Sequence, residues 1–506
     1  MASRSRGLRL WSPKMEEILG LTVRALDRAR MSRDPRFDGK FFIAVTSTGI
    51  YCRPICPSPH AKRSHVRYFP TAAAASAAGY RPCLRCRPEA APGTPAWLGT
   101  SAVVRRALRL IEDGFLDHDS VKQLAERLGI GPRHLHRLFL QHVGAAPVAM
   151  AQTRRLHFAK RLLDETELPI TDIAFASGFQ SLRRFNSAFQ QSFRRAPRDV
   201  RRDWCLGPAQ QEDEVVLRLA YRPPYDWQQV RDFLAARAIA GVETIDERGY
   251  ARTVKTGKRY AIVRVRPLED EDALELRVRG SGPASLLQMS SIARRVFDVA
   301  SDPALIMCAF ENSPLISPLV RSRPGLRIPG AWDCFECAVR AIVGQQISVA
   351  AARTLTARLV SCAGAAIPHA TDGLTRLFPG PAELLSADLT GVGLTRSRVS
   401  TLRALAGAIL KGEIDLHGTS DAICAELARL PGVGPWTAQY VAMRALGEPD
   451  AFPASDLVLR RVASGKGALL SPDQLAGQAE AWRPWRAYAA MHLWRAAADA
   501  QARDRG

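Results

Sequence analysis

The sequence predicts a multidomain, predominantly α-helical chain in which two small α+β regions alternate with two helical ones. Three observations point that way. At 506 residues the chain exceeds what one hydrophobic core serves, and the usual domain size suggests about three or four units. Four cysteines cluster near the start as two close pairs among Pro, Arg and Gly. Helical periodicity with glycine-marked turns governs 101–204, and a helical pattern returns from 332 onward. The expected boundaries are 15–92, 98–204, 212–310 and 311–500. Residues 1–14 are polar and basic without periodicity, and no structural role is assigned to them.

Charge is distributed unevenly. Of the formal +22, residues 1–210 hold 35 Lys and Arg against 17 Asp and Glu, a net +18. The first two-fifths of the chain is therefore suited to a polyanion, although DNA, RNA and an anionic membrane surface all attract such charge. No apolar run approaches the roughly 18 to 20 residues a membrane span needs, and the Arg-rich start lacks a signal-peptide core. A cytoplasmic chain without membrane contact is expected. Its ten cysteines should then be reduced, so clustered ones point to metal or chemistry and scattered ones to packing.

In the first region GIYCRPICPSP and GYRPCLRCRPE set Cys52, Cys56, Cys83 and Cys86 as a C-x3-C and a C-x2-C pair. Two close pairs of soft ligands are what tetrahedral zinc requires. Two coincidental pairs of buried thiols are the alternative, but Pro, Arg and Gly make poor core neighbours. Four thiolates around a divalent cation leave a formal charge of −2 and sulfurs that remain nucleophilic. Arg53, Lys62, Arg63, Arg67, Arg81, Arg85 and Arg87 surround the cluster, an arrangement suited to DNA phosphates. The segment FFIAVTSTGIYCRPICPSPHAKRSHVRYF with AGYRPCLRCRPE resembles the N-terminal zinc domain of the Ada family. That resemblance implies one zinc ion and a cysteine that irreversibly accepts a methyl group from a DNA methylphosphotriester. Along the motif the acceptor falls on Cys52, a choice that the chemistry of four like thiolates does not make. Methylation would take the site from −2 to −1 and raise DNA affinity, giving a one-shot sensor.

After the linker PEAAPGTPAW, two units share one pattern: a small residue in the first helix, a Gly turn, then a polar and basic second helix. In VKQLAERLGIGPRHLHRLFLQHVG, Leu124, Ala125 and Leu128 precede Gly129, and Leu135, Leu138 and Phe139 follow. In ITDIAFASGFQSLRRFNSAFQQSFRRAP, Ile173 and Ala174 precede Gly178, and Phe185, Phe189 and Phe193 follow. An ordinary helical bundle with exposed Arg is the competing account, and the repeated turn on a basic segment favours DNA binding. The arrangement resembles the AraC-type DNA-binding domain. Candidate groove-facing side chains are Arg133, His134 and Arg137 in the first unit, and Gln180, Ser181, Arg183 and Arg184 in the second.

Residues 212–310 alternate strand-like runs (VVLRLAY, RYAIVRVRP, ALELRVRG) with helical ones (WQQVRDFLAARA, SSIARRVFDVAS), a small α+β domain with no catalytic constellation of its own. In the helical region beyond it, Cys334 and Cys337 form a lone C-x2-C pair on an apolar stripe and are assigned to the core. The hairpin LPGVG follows, where Gly432 and Gly434 let backbone amides approach a phosphate at a helix start. Asp456 comes 22 residues past Gly434. As a structural residue Asp456 would be a helix N-cap, a role Ser455 could also fill. The two roles agree, because a helix N-terminus favours an ionised carboxylate.

LPGVGPWTAQYVAM with that Asp resembles the helix-hairpin-helix glycosylase superfamily, and AFPASDLVLRR with WRPWRAYAAMHLW resembles AlkA-type 3-methyladenine glycosylases, over about residues 212–497. The likeness implies an AlkA-like α+β domain, an all-α glycosylase domain, and Asp456 as the essential carboxylate stabilising the sugar cation that develops as the N-glycosidic bond breaks. It implies a flipped base in a pocket of Trp436, Tyr440 and Trp494, whose rings favour a cationic alkylated purine. Aromatics in a helical domain otherwise belong to cores. Gln346 falls on the position of a DNA-intercalating wedge, filled by an apolar residue in some relatives. Strand-cutting members carry Lys where Trp436 stands, so simple hydrolysis to an abasic site is expected. The last cysteine is Cys424, ahead of Asp456, so no iron–sulfur cluster and no cofactor for the glycosylase are expected.

The resemblances together imply a bacterial fusion of sensor, regulator and repair enzyme, with damaged and promoter double-stranded DNA as partners and RNA polymerase as a further candidate; a monomer is the default expectation. No Pro-Cys-His-Arg motif occurs, so direct reversal of O6-methylguanine is not expected. The rival is an alkylation-responsive regulator in which an inactive glycosylase fold only binds DNA. A glycosylase for oxidised or mismatched bases is disfavoured by the missing Lys and cluster cysteines.

Overall fold

In the computed structural model, which describes residues 21–92, 102–202, 214–257, 259–280, 282–416, 420–465 and 467–503, the apolar run Phe42–Val45 (β1) pairs antiparallel with Ile50–Cys52 (β2) and Val66–Phe69 (β3). The segment 1–20, the second half of the Pro-rich linker and the expected domain edges at 98, 204 and 212 lie outside the described residues. Strand alternation sends Phe41, Ile43 and Val66 to one face, against Leu26 of the helix Val23–Ser32. Phe42, Ala44 and Tyr51 go to the other face, against Ala75 of the helix Ala72–Ala77. Arg81–Pro82 (β4) completes the order β3-β1-β2-β4 by pairing parallel to β2, with Tyr51 opposite Pro82. Cys52 and Cys83 each follow that pair by one residue, so the register brings the two cysteine motifs together.

The helices of the first unit, Met1–Leu206, follow the expected grammar. Val121–Arg127 and Pro132–His142 flank Gly129 at φ 68°, and Ile170–Ala176 and Leu182–Phe193 flank Gly178 at φ 78°. Left-handed backbone at both turns explains the two glycines. Leu124, Ala125, Leu135 and Phe139 close one core. Phe185, Phe189 and Phe193 are buried in the second, with Phe189 and Phe193 stacked at 4.4 Å. The helix Pro147–Glu165 connects the two pairs and also meets the cysteine module. Tyr51 Oη and His157 Nε2 are 2.9 Å apart, and buried Lys160 lies between Asp164 at 2.5 Å and Glu89 at 3.5 Å.

The second unit, Gly207–Gly506, opens with a five-stranded antiparallel sheet. Its strands are Glu214–Ala220 (β5), Glu243–Asp246 (β6), Gly249–Thr256 (β7), Arg259–Pro267 (β8) and Ala273–Arg279 (β9), in the order β5-β9-β8-β7-β6. Three strands and both expected helices, Trp227–Ala235 and Leu286–Val296, were legible as apolar runs. Strands β6 and β7 were not, because ETID and GYARTVKT carry polar residues that buried ion pairs satisfy. Arg252 of β7, for example, pairs with Glu336 at 2.8 Å. The following region is helical as expected except for a two-stranded hairpin, Ala366–Thr371 (β10) with Leu374–Arg376 (β11). Asp372 and Gly373 turn it with φ of 53° and 78°, the two positive values that an Asp-Gly turn supplies. Among the described residues no helix is long and apolar enough to cross a membrane.

Candidate active site and metal centre

Asp456 is the N-cap of the helix Leu457–Ser464, and Ser455 is not. Its Oδ1 accepts from the amides of Val458 at 2.9 Å and Leu459 at 3.0 Å, two of the four donors that a helix start leaves unpaired. The same oxygen accepts from Trp494 Nε1 at 3.1 Å, and Oδ2 accepts from Trp436 Nε1 at 2.8 Å. Four N–H groups therefore converge on one half-exposed carboxylate. Such a partner set leaves no freedom of rotation and suits an acceptor.

The aromatic residues gather around that group. Trp436 and Tyr440, one turn apart on the helix Pro435–Arg444, stack at 5.1 Å with 12° between ring planes. Tyr440 meets Trp494, on the helix Arg486–Arg503, edge to face at 6.4 Å. All three rings are half-buried, unlike the fully buried rings of a core, and so remain able to meet a partner.

A further set of residues was not legible in the sequence. Arg444, 7% exposed, donates from Nη1 to Tyr440 Oη at 2.7 Å and from Nη2 to Gly330 O at 3.1 Å. Its guanidinium lies 4.4 Å from the ring centroid of Phe233, whose ring also lies 3.7 Å from the guanidinium of Arg237. The α+β domain thus reaches the aromatic cluster through Phe233. No local pattern marks Phe233, since WQQVRDFLAARA is an ordinary amphipathic helix.

The hairpin divides the roles of its glycines. Gly432 has φ 83°, and a Cβ there would collide with Thr401 Oγ1. Gly434, the N-cap of the helix Pro435–Arg444, has φ −97° and open space where its Cβ would stand. The first glycine is demanded by the turn, whereas the second leaves room at a helix start. Gln346 is exposed, in the turn after the helix Cys334–Val343, with φ 56°.

In the first unit the sulfurs of Cys52, Cys56, Cys83 and Cys86 all lie within 4.8 Å of one another. A regular tetrahedron with Zn–S bonds of about 2.3 Å needs sulfurs about 3.8 Å apart, so the four thiols fit zinc with little adjustment. The Arg53 amide donates to Cys86 Sγ at 3.3 Å, a contact that suits a thiolate. Cys56, Cys83 and Cys86 are buried and Cys52 is the most open of the four. Among the described residues no other such group of His, Cys, Asp or Glu forms. Of the pair outside it, Cys337 is buried and Cys334 half-buried.

The basic ring around the cluster needs one correction. Lys62, Arg67 and Arg85 are exposed, but Arg53 binds Asp38 and Arg87 binds Asp164 at 2.9 Å, both half-buried. Carboxylates of the fold claim these two cations. On the helix-turn-helix pairs Arg133, His134, Arg137, Arg183 and Arg184 are exposed on the second helices. Gln180 instead donates to Asp117 O at 3.3 Å and Ser181 caps its helix, so both serve the fold.

A hairpin between two helices, a carboxylate capping the next helix, a four-thiol cluster and a double helix-turn-helix define a base-excision repair protein joined to a DNA-binding regulator. Family models agree. They match the metal binding domain of Ada over 25–89, a helix-turn-helix domain over 124–203, the AlkA N-terminal domain over 216–333 and the HhH-GPD superfamily base excision DNA repair protein over 339–487. The chain belongs to the family of bifunctional transcriptional activator/DNA repair enzymes of the AlkA type. It is 40% identical to a probable member of that name from Mycobacterium tuberculosis over 472 residues, covering 92% of this chain and 95% of the relative. DNA-3-methyladenine glycosylase 2 of Escherichia coli is 34% identical over 54% of this chain and 95% of its own. The bifunctional transcriptional activator/DNA repair enzyme Ada of Escherichia coli is 38% identical over 28% of this chain and 39% of its own. Among solved structures, a 3-methyladenine DNA-glycosylase from Archaeoglobus fulgidus matches 55% of this chain and 98% of its own at 21% identity, with a TM-score of 0.49.

Proposed function

We propose that the second unit is a monofunctional DNA-3-methyladenine glycosylase that hydrolyses the N-glycosidic bond of alkylated bases and leaves an abasic site. The observation that carries this proposal is the Asp456 carboxylate held between the indole N–H groups of Trp436 and Trp494, with Tyr440 stacked beside them. The base leaves the helical stack and enters the aromatic cluster, where a cationic alkylated purine gains from the ring faces. As the C1′–N bond breaks, its electron pair leaves with the base and the sugar becomes an oxocarbenium ion. Asp456 stabilises that cation, and water adds to C1′, losing its proton toward the carboxylate. Trp436 offers no amine, so no Schiff base forms there, and the glycosylase uses no cofactor. Gly432 and Gly434 hold a backbone phosphate, and Gln346 enters the duplex as the wedge.

The first unit is the sensor. Cys52, Cys56, Cys83 and Cys86 would hold one zinc ion, which would keep their sulfurs as thiolates. Cys52 Sγ attacks the methyl carbon of a DNA methylphosphotriester. The S–C bond forms, the C–O bond breaks, and the phosphodiester anion departs. The cluster loses one negative charge and DNA affinity rises, while Arg133, Arg137, Arg183 and Arg184 contact promoter DNA. The protein acts as a cytoplasmic monomer, associates with the nucleoid when bound to DNA, and engages RNA polymerase as an activator.

Chromatography of bases released from dimethyl-sulfate-treated duplex DNA tests the enzyme. Wild type should release alkylated purines, and Asp456→Asn should be slower by a factor of roughly 10³, the loss expected when one electrostatic stabiliser of a transition state is removed. Equal, slow release by both would leave regulation as the whole function.

A further inference from the structure

Two outward-facing loops of the second unit are joined by a side chain with no assigned role. One is the turn that carries Gln346, and the other is the hairpin at 431–434. Gln345 Nε2 donates to the Gly432 carbonyl at 2.9 Å and to Thr437 Oγ1 at 3.0 Å, at the root of the helix that carries Trp436 and Tyr440. The Gln345 carbonyl accepts from Arg398 Nη2. From the same helix as Arg398, Arg396–Leu410, Thr401 Oγ1 donates to Pro431 O at 2.8 Å. The wedge turn and the hairpin are therefore pinned to each other directly and to a common helix. Gln346 itself sits at φ 56°, a conformation that a non-glycine residue keeps only where its surroundings over-determine it.

We propose that Gln345 is the positioning residue for base extrusion, and that it fixes Gln346 at one height above the phosphate-holding hairpin. The role rests on the wedge function of Gln346 proposed above. A side chain that enters a duplex is effective only if it cannot retreat relative to the grip on the backbone, so the joint between the two loops decides whether insertion displaces the base or the wedge.

The test uses the full-length protein and oligonucleotides with a single N7-methylguanine, placed opposite cytosine or opposite a tetrahydrofuran abasic analogue. Removing the opposing base lowers the cost of extrusion, while the chemistry stays the same. Single-turnover release by Gln345→Ala, which removes both side-chain hydrogen bonds, should fall about tenfold or more on the paired duplex and less than about threefold on the unpaired one. Gln345→Met, which keeps the length and removes the N–H donors without adding charge, should show the same split and guards against a folding artefact. An equal fall on both duplexes, or no fall on either, would overturn the positioning role. Gln346→Ala is measured alongside. If it shows the split and Gln345→Ala does not, only this proposal fails; if Gln346→Ala shows no split, the wedge assignment fails and the positioning role falls with it.

Discussion

In the proposed reaction Asp456 serves the chemistry with the same two oxygens that hold its place in the fold. Capping a helix start and lying between two indoles are compatible because both supply N–H donors to a carboxylate. The buried His492, 4% exposed, is by contrast a purely structural group. Burial, with the nearby charge of Arg323 as a smaller cause, holds its imidazole down from 6.5 to about 4. The unfolded chain therefore binds the proton first as pH falls. The stabilising contribution is complete above pH 6.5, decreases from there, and is gone below about pH 4, an amount of about 3 kcal/mol. Urea unfolding of wild type and His492→Leu across this range should give curves that diverge, with the stability of wild type minus that of the variant falling as pH drops from 6.5 to about 4; parallel curves would refute the assignment. Asp298 works in the opposite direction. Its burial raises the carboxyl to about 6, so the comparison must be between the two proteins and not on the wild-type slope alone.

Elements decide what single glycines do. In the hairpin, Gly432→Ala must place a Cβ at φ 83° against Thr401 Oγ1, and should lower stability by about 1 to 2 kcal/mol. Gly434→Ala meets nothing within 4 Å, so thermal melting should barely change. Affinity for an abasic-site duplex, read by fluorescence anisotropy, should nevertheless fall if a phosphate closes on that helix start. Equal effects of the two variants on both measurements would show that the hairpin is only a structural turn. The same logic accounts for the helix-turn-helix pairs. Gly129 and Gly178 were legible because a left-handed turn needs glycine, whereas Gln180 and Ser181 were placed in a groove-facing set although they bond to Asp117 and cap a helix. A polar residue at the start of a helix serves either role, and its partner decides which.

At the scale of the whole molecule the chain forms two compact units, and the net charge is concentrated in the first. The metal cluster joins the end of β2 to the residues after β4, so zinc bound there contributes directly to folding. Structural zinc sites bind with roughly 10 kcal/mol or more, and that free energy becomes folding free energy. Chelation should therefore lower the melting temperature of the first unit and leave base release by the second unchanged, as calorimetry and the release assay would record. A proportionate loss of base release on chelation would mean that the metal also supports the catalytic unit.

The sequence by itself determined the cysteine set, the paired helix-turn-helix pattern, the hairpin and the carboxylate beyond it. Each is encoded in ligand spacing or turn stereochemistry over a few adjacent residues, and so survives without knowledge of the fold. Only the tertiary structure decided that Phe233 meets Arg444, that Gln345 ties one loop to another, and that Arg53 and Arg87 spend their charge on Asp38 and Asp164 instead of facing outward. Those contacts join residues far apart in the chain, and an Arg, a Gln or a Phe looks the same in sequence whether its partner is solvent, DNA or another part of the protein.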